Sequence, residues 1–167
     1  MKKAGIFVVL FLFSATVGMA QKYGHLNFGN LLAAMPETQA ADKELDAYQK
    51  QLVAKGEKMA KDFQNEVQAY FQAAQNMAPV KAQEREQELQ QKQQEILNYE
   101  QEVAQKVNQK RQQLLKPIIE KANNVIAQVA KEQGYVMVFD TSVFNAVLFA
   151  KDSEDIMVFV AAKLGLD

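Results

Sequence analysis

The longest pattern in the chain is a stripe of apolar residues at helical spacing between Glu37 and Gln133. In its first half the stripe repeats every eleven residues, close to the pitch of an undistorted helix, so a nearly straight coiled-coil seam is predicted. That seam contains Leu45, Tyr48, Leu52, Gly56, Met59, Phe63, Val67, Tyr70 and Ala74. The second half continues with Ala82, Leu89, Ile96 and Val103 at intervals of seven, then Val107, Leu114, Ile118, Ala122, Val125 and Val129. The pattern predicts two long helices.

The two stripes are interrupted at Asn76-Met77-Ala78-Pro79. Proline disfavours helical angles in the residue before it, and asparagine is common at helix ends. The sequence therefore predicts an antiparallel hairpin, with one helix from about Pro36 to Gln75 and a second from about Val80 to Gln133. At 1.5 Å per residue these helices are about 60 and about 80 Å long. Pro117 is expected to kink the second helix.

The segments before and after this helical region are rich in Val, Phe, Tyr and Leu between turn residues, a composition typical of β-strands. Two glycines serve as helix ends, Gly134 after the long helix and Gly165 near the end of the chain. The predicted elements are strands at Tyr23–Phe28, Tyr135–Asp140 and Asn145–Ala150, and a helix at Ser153–Leu164 with Asp152 as its N-cap. The fold class is thus α+β, a small strand body with a long hairpin arm.

The first residues of the chain have the layout of a secretory signal peptide. Lys2 and Lys3 precede an apolar run of about ten residues, and Gly18-Met19-Ala20 supplies small residues at the cleavage positions. An apolar run of that length is short for a membrane-spanning helix. We predict a signal peptide at 1–20, a body from 21–35 and 117–167, and an arm at 36–116 with its tip at about 75–80.

Charge and cysteine content narrow the classes of function. Removing Lys2 and Lys3 lowers the basic count from 19 to 17 against 20 acids, so the net charge moves from −1 to −3. This mild acidity gives no indication of nucleic-acid binding. The chain has no cysteine, which excludes disulfides, thiolate catalysis and cysteine-based metal sites. An exported, cysteine-free chain of this kind is expected in the periplasm.

The sequence gives little support for a catalytic function. His25 is the single histidine, and with Asp140 and Ser142 it supplies the residue types of a hydrolytic triad. No nucleophile motif surrounds Ser142, so a strand residue beside a turn is the favoured interpretation. One histidine without cysteines is also a poor metal-ligand set. We predict a protein that is not an enzyme and uses no cofactor.

Several segments resemble the Skp (OmpH-like) family over about Lys22 to Leu166. They are Gly24-His25-Leu26-Asn27, Met35-Pro36-Glu37, Lys116-Pro117-Ile118, Ala130 to Asp140, and Asn145 to Ala150 leading into Asp155-Ile156. The resemblance implies a homotrimer whose strands join in a central barrel, with helical arms around a cavity. It also implies an ATP-independent holdase chaperone for unfolded outer-membrane proteins. Edge strands that one subunit leaves unpaired would be paired in such a barrel.

On this interpretation two sets of residues are candidates for contacts. The trimer body would use Leu26, Phe28, Val136, Val138, Val147 and Phe149. The client-binding set comprises Met59, Phe71, Met77, Leu97, Tyr99 and Leu115, which lie off the main stripes or add adaptable methionine surface. Thickening of the hairpin interface is an equally open role for this second set.

Two further expectations concern partners and alternatives. The predicted tip, Phe71 to Ala82, carries only Lys81, so contact with membrane or lipopolysaccharide is doubtful despite the family resemblance. The alternative function is a periplasmic structural or adaptor coiled coil. It would predict a larger flanking domain than the short flanks of this chain provide.

Overall fold

A computed structural model describes residues 21–166, and the signal peptide predicted at 1–20 lies outside them. The elements in chain order are β1 (Lys22–Leu26), α1 (Phe28–Ala34), α2 (Pro36–Ala73), α3 (Pro79–Gln133), β2 (Tyr135–Asp140) and α4 (Met157–Leu164). Contacts divide these residues into two compact units. The hairpin unit contains residues 29–124, and the strand unit contains residues 21–28 and 125–165.

The hairpin unit confirms the prediction of two long helices, because α2 has 38 residues and α3 has 55. A 3₁₀ turn at Ala74–Asn76 and an extended Met77 separate them. Proline stands at the start of both helices, at Pro36 and Pro79, where the missing N–H would have had no helical partner. Pro117 lies inside α3, which the structure assigns as one continuous helix.

The two helices are antiparallel, as the ion pairs between them demonstrate. Later residues of α2 pair with earlier residues of α3, and the pairs are Glu66 with Arg85 and Lys92, Glu44 with Lys110, and Glu37 with Lys121. The Arg85 and Lys110 pairs have N–O distances of 2.9 and 2.6 Å. Partly exposed pairs of this kind each contribute only about 0–1 kcal/mol. They contribute more to the choice of register than to stability.

One core contact in the hairpin joins an aromatic ring to a glycine. A Cβ atom placed on Gly56 of α2 would lie 3.4 Å from Cε1 of Tyr99 on α3. The Tyr99 hydroxyl donates a hydrogen bond of 3.0 Å to the Leu52 carbonyl. Tyr99 is 7% exposed, so the prediction that it lies off the seam is wrong. It belongs to the hairpin core.

The strand unit is built on a parallel pairing of β1 with β2. Gly24 of β1 is buried against the Tyr135 ring, and a Cβ atom there would approach that ring to 3.0 Å and Ile156 to 3.1 Å. The Ile156 N–H donates to the His25 carbonyl at 2.9 Å, which ties the start of α4 to β1. Leu26, Val129, Ile156 and Val160 are buried as well. This small core holds the strands in place.

Asp140, the last residue of β2, joins three parts of the strand unit. Its Oδ1 accepts hydrogen bonds from the backbone N–H of Phe28 at 3.1 Å and of Ser142 at 2.8 Å. Burial raises the pKa of this carboxyl, but the hydrogen bonds from Ser142 and Phe28 together outweigh burial and hold the pKa below its ordinary value. Asp140 thus positions the start of α1 and the turn after β2.

Three expectations about the ends of the chain are corrected. The predicted strand Asn145–Ala150 is irregular, with Asn145 in the left-handed region at φ 59°, because the subunit offers it no strand to pair with. Phe28 begins α1 instead of ending a strand. The last helix starts at Met157, whose N–H is bound by Asp155 at 2.8 Å, while Asp152–Glu154 forms a separate 3₁₀ turn. Gly134 and Gly165 do adopt the predicted left-handed conformation, at φ 73° and 70°.

The Tyr99 contact predicts a graded loss of hairpin stability. Tyr99→Phe removes only the hydrogen bond to Leu52 and should lower the free energy of unfolding by about 1 kcal/mol. Tyr99→Ala also leaves a cavity over Gly56 and should cost about 3–5 kcal/mol. Urea unfolding followed by circular dichroism measures both values. Equal stability of Tyr99→Ala and the parent would contradict the assigned packing.

Asp140 predicts an acid-sensitive contribution to stability. Because its folded pKa is lowered, the contribution is present above the ordinary value of 3.8 and is lost as the pH falls through the folded value. Asp140→Ala should lower the unfolding free energy by about 2 kcal/mol at pH 7, because it removes the acceptor of the backbone N–H groups of Phe28 and Ser142. Asp140→Asn keeps the acceptor oxygen and serves as the matched control. The difference in unfolding free energy between the parent and Asp140→Ala should become smaller in acid. A difference that does not change with pH would show that the charge of the carboxylate does not contribute.

Candidate interaction surfaces

The residues proposed for a hydrolytic triad do not form one. The His25 ring donates from Nε2 to the Lys151 carbonyl at 2.9 Å, and Asp140 is bound by backbone amides. Both side chains therefore hold the strand unit together. Within residues 21–166 no cluster of three or more histidine, aspartate or glutamate side chains is placed to hold a metal ion. The described helices also include none long and apolar enough to cross a membrane.

The strand unit exposes an unusual amount of apolar surface. We call this set the strand-unit face; its members are Tyr23, Val136, Met137, Phe139, Val143, Phe144, Leu148 and Phe149, all exposed. Phe149 is 82% exposed and Leu148 is 88% exposed. Four of them, Tyr23, Phe139, Leu148 and Phe149, line one groove, and contiguous apolar surface on soluble proteins commonly marks a site of protein contact. This face is a candidate interface.

A groove of about 470 Å³ runs along the strand-unit face. Tyr23 and Phe139, whose ring centroids are 6.4 Å apart, form one wall, and the irregular segment 146–151 forms the other. Glu154 also lines the groove, and one of its carboxylate oxygens is buried without a hydrogen-bond partner among the described residues. Buried oxygens of this kind are normally paired. The groove itself is lined mainly by apolar side chains, with two aromatic rings on one side.

The six residues predicted for the trimer body occupy different environments. Val136 and Phe149 lie on the strand-unit face, Val138 and Val147 are half-buried, and Phe28 is half-buried at the start of α1. Leu26 is buried in the core of its own strand unit. Sequence reasoning missed Phe144 and Leu148, although both lie in runs of consecutive apolar residues, Val143-Phe144 and Ala146 to Ala150.

The residues predicted to bind clients are also divided by the structure. Phe71 is 70% exposed and Leu97 is 47% exposed. Met59, Met77 and Leu115 are half-buried, and Tyr99 is buried in the hairpin core. Tyr99 is therefore removed from the set of candidate contact residues. The other five stay candidates.

Some of the charged side chains on the hairpin pair with one another. The Lys92 ammonium, hydrogen-bonded to Glu66, holds the pKa of that carboxyl below its usual range, and the charge of Arg85 acts in the same direction. Near the turn, the Tyr70 hydroxyl donates to Glu86 at 2.5 Å, which raises the pKa of the tyrosine. No charged residue follows Glu66 in α2, so the last seven residues of the helix expose only uncharged side chains.

Comparisons with known proteins show what this chain is similar to. The chain resembles a solved structure of a candidate outer membrane chaperone (OmpH-like) from Caulobacter crescentus CB15, with a TM-score of 0.75 and 21% sequence identity, over 86% of this chain and 83% of that one. No curated protein sequence matches the chain. A family model described as "Outer membrane protein (OmpH-like)" matches residues 22–164. Because that match spans most of its length, the chain belongs to the OmpH-like family.

Proposed function

We propose that this protein is an ATP-independent periplasmic holdase chaperone, a homotrimer that keeps unfolded outer-membrane proteins from aggregating in a cavity between its helical arms. The observation that carries the proposal is that each of the two units exposes large apolar side chains, such as Leu148 and Phe149 in the strand unit and Phe71 in the hairpin unit. Membership of the OmpH-like family and likeness to a candidate outer membrane chaperone support it. The signal-peptide pattern at 1–20 supports export to the periplasm.

Self-association is the role that fits the strand-unit face. β1 and β2 form a two-stranded sheet within the described residues, and such a pair leaves strand edges open. Segment 145–150 is apolar and unpaired beside that sheet. Closing these strands into a barrel shared by several subunits would pair the edges and bury the apolar side chains. The expectation of three subunits comes from the family resemblance, and closed cyclic symmetry is usual for homo-oligomers.

Client binding is the role that fits the hairpin unit. Its exposed apolar residues are scattered, with Phe71 near the turn and Leu97 further along α3. Scattered residues do not make one shaped pocket, so binding energy would be spread over several modest contacts of roughly 1–2 kcal/mol each. Spread contacts suit clients that are unfolded and differ in sequence. They also allow release without an energy source.

Charge has a secondary part in this proposal. The hairpin carries both signs, and many of its charges are paired within the unit. Between Phe71 and Ala82 only Lys81 is charged, which gives little attraction to anionic lipid or lipopolysaccharide. Surface attraction is moreover screened within about 10 Å at 0.1 M salt. Client capture should therefore persist at moderate ionic strength.

Replacing Phe71, Leu97 and Leu115 together by glutamine should weaken capture of an unfolded outer-membrane barrel protein by well over tenfold, as about 1.4 kcal/mol corresponds to each factor of ten. Each single substitution should be nearly silent, because the other contacts remain. Light scattering of a urea-diluted barrel protein measures the protection, and circular dichroism checks that the helices are intact. Full protection by the triple variant would count against an apolar client surface, and so would loss of parental capture in moderate salt.

The mature chain, lacking residues 1–20, should have about three times the monomer mass in light scattering. Phe149→Glu should reduce that mass, since the side chain is 82% exposed in the subunit but would be buried in the assembly. Val80→Glu is the matched control: Val80 is 69% exposed in the hairpin unit, and its change should leave the mass unaltered. A monodisperse monomer of the parent at micromolar concentration would overturn the proposed assembly.

A further inference from the structure

Most of the exposed large apolar side chains lie in helices or strands, where the backbone is already hydrogen-bonded. Phe71 is in α2, Val80 in α3 and Val136 in β2. Among the residues that the structure describes, those with exposed large apolar side chains outside helices and strands are Val143, Phe144, Leu148 and Phe149. All four fall within residues 143–150, which we call the apolar loop. Exposed apolar surface and irregular backbone thus coincide in one short segment.

The apolar loop is held at its two ends. Just before it, the Thr141 N–H donates to the Leu26 carbonyl at 2.9 Å. Just after it, the Lys151 carbonyl accepts a hydrogen bond of 2.9 Å from Nε2 of His25. Inside the loop, the described residues make a single backbone hydrogen bond, the turn bond of 3.1 Å from the Ala146 N–H. The loop therefore projects its apolar side chains from a backbone that is anchored but locally unpaired.

An endoprotease requires this combination of its substrate. Such an enzyme binds an extended segment through backbone hydrogen bonds, in the manner of an added β-strand. Proteases of the chymotrypsin class also place a large apolar side chain in a hydrophobic pocket, directly before the bond that is cut. Helices and paired strands must first unfold locally, because their backbone groups are already paired. The apolar loop offers both features without unfolding, and its candidate cuts follow Phe144, Leu148 and Phe149.

A cut in the apolar loop would separate α4 from the rest of the chain. Val160 of α4 and Ile156, just before it, are fully buried in the core of the strand unit. Before a cut these side chains dock within one chain. After a cut they must dock from a separate fragment, which loses the high effective concentration of a tethered segment. One cut is therefore sufficient to weaken the small core on which the strand unit depends.

We propose that the apolar loop is a proteolytic cleavage site that is open in a lone subunit and covered when copies of the chain assemble. The inference rests on the self-association proposed above, which would bury Phe149 and the rest of the strand-unit face. An endoprotease with a hydrophobic specificity pocket then removes subunits that stay unassembled and spares those in the assembly. Self-association thereby sets how long a chain survives.

The reaction is hydrolysis of one peptide bond. A serine of the enzyme takes the acyl group of the residue before the cut, and the amine of the next residue leaves with a proton. Water then releases the acyl group as a carboxylate and restores the serine. Water is the co-reactant, and no oxidant or reductant is consumed.

The test uses chymotrypsin on the mature full-length protein, at a concentration where light scattering gives the assembled mass. Mass spectrometry locates the first cut. Phe149→Glu, the dissociating variant, should be cut after Phe144 or Leu148 at least about tenfold faster than the parent, because the unassembled population sets the rate. Val80→Glu changes another exposed residue, in α3, and should be cut at the parental rate.

Further measurements separate an open loop from an unfolded chain. Phe71 is 70% exposed but lies in α2, so the bond after it should stay intact. Diluting the parent through its dissociation range should also raise cleavage in the loop, measured against a reporter peptide in the same tube to correct for enzyme occupancy. Adding Phe144→Ser and Leu148→Ser to Phe149→Glu should slow cutting in the loop by more than about tenfold, since serine does not fill the hydrophobic pocket.

Two results would overturn the inference while leaving self-association intact, provided that light scattering shows an assembled parent. One is a first cut outside residues 143–150 in Phe149→Glu and in the diluted parent. The other is equal cleavage of the loop in the assembled and the dissociated chain. If Phe149→Glu stays assembled, the dilution series makes that comparison alone. A parent that is monomeric at every concentration would instead overturn the proposed assembly, and the inference with it.

Discussion

Packing of the Tyr99 ring against Gly56 is the constraint on which the hairpin depends. Because Gly56 has no side chain, the ring lies close to the backbone of α2, and its hydroxyl reaches the Leu52 carbonyl. The ammonium groups of Lys55 and Lys106 lie 5.0 and 5.5 Å from the ring centroid, within the range of cation–π attraction. The contact places Gly56 of α2 opposite Tyr99 of α3. In the same register Glu66 pairs with Arg85 and Lys92, and Phe71 is exposed.

The two units are packed in different ways. In the hairpin unit, small and apolar residues fill a narrow seam and the charges pair beside it, so long helices are stable with little buried surface. The strand unit has a core of a few side chains and leaves Val136, Phe144 and Phe149 exposed. A unit of that size would gain stability if another chain covered its apolar surface. The apolar side chains left on the hairpin can then serve a different partner.

Sequence periodicity was sufficient for the long helices, because helices of 38 and 55 residues contain enough regularly spaced apolar positions to outweigh local exceptions. It missed Tyr99 for a definable reason: Arg85, Lys92 and Lys106, which lie seven or fourteen residues from Tyr99 in α3, are charged, so no apolar stripe marks that side of the seam. The short helix α1 has seven residues and includes a glycine, which leaves too little periodic signal.

Contacts between residues that are far apart in the sequence could not be predicted from local sequence patterns. The parallel pairing of β1 with β2 joins residues over one hundred positions apart, such as Gly24 and Val138. The strand predicted at 145–150 has the right composition, but a strand needs a hydrogen-bonded neighbour, which the single subunit lacks at that place. The positions of Phe71 and Leu97 off the seam followed from the seam spacing, whereas how far each is exposed required the structure.

The central claim is that the two apolar surfaces serve two different partners. Site-specific photocrosslinking tests it directly, with a photoreactive phenylalanine analogue at position 71 in one preparation and at position 149 in another, each mixed with an unfolded barrel protein. The account predicts crosslinks from position 71 to the client, and crosslinks from position 149 to a second copy of the chain, with or without client. Client crosslinks from position 149, or copy-to-copy crosslinks alone from position 71, would contradict it.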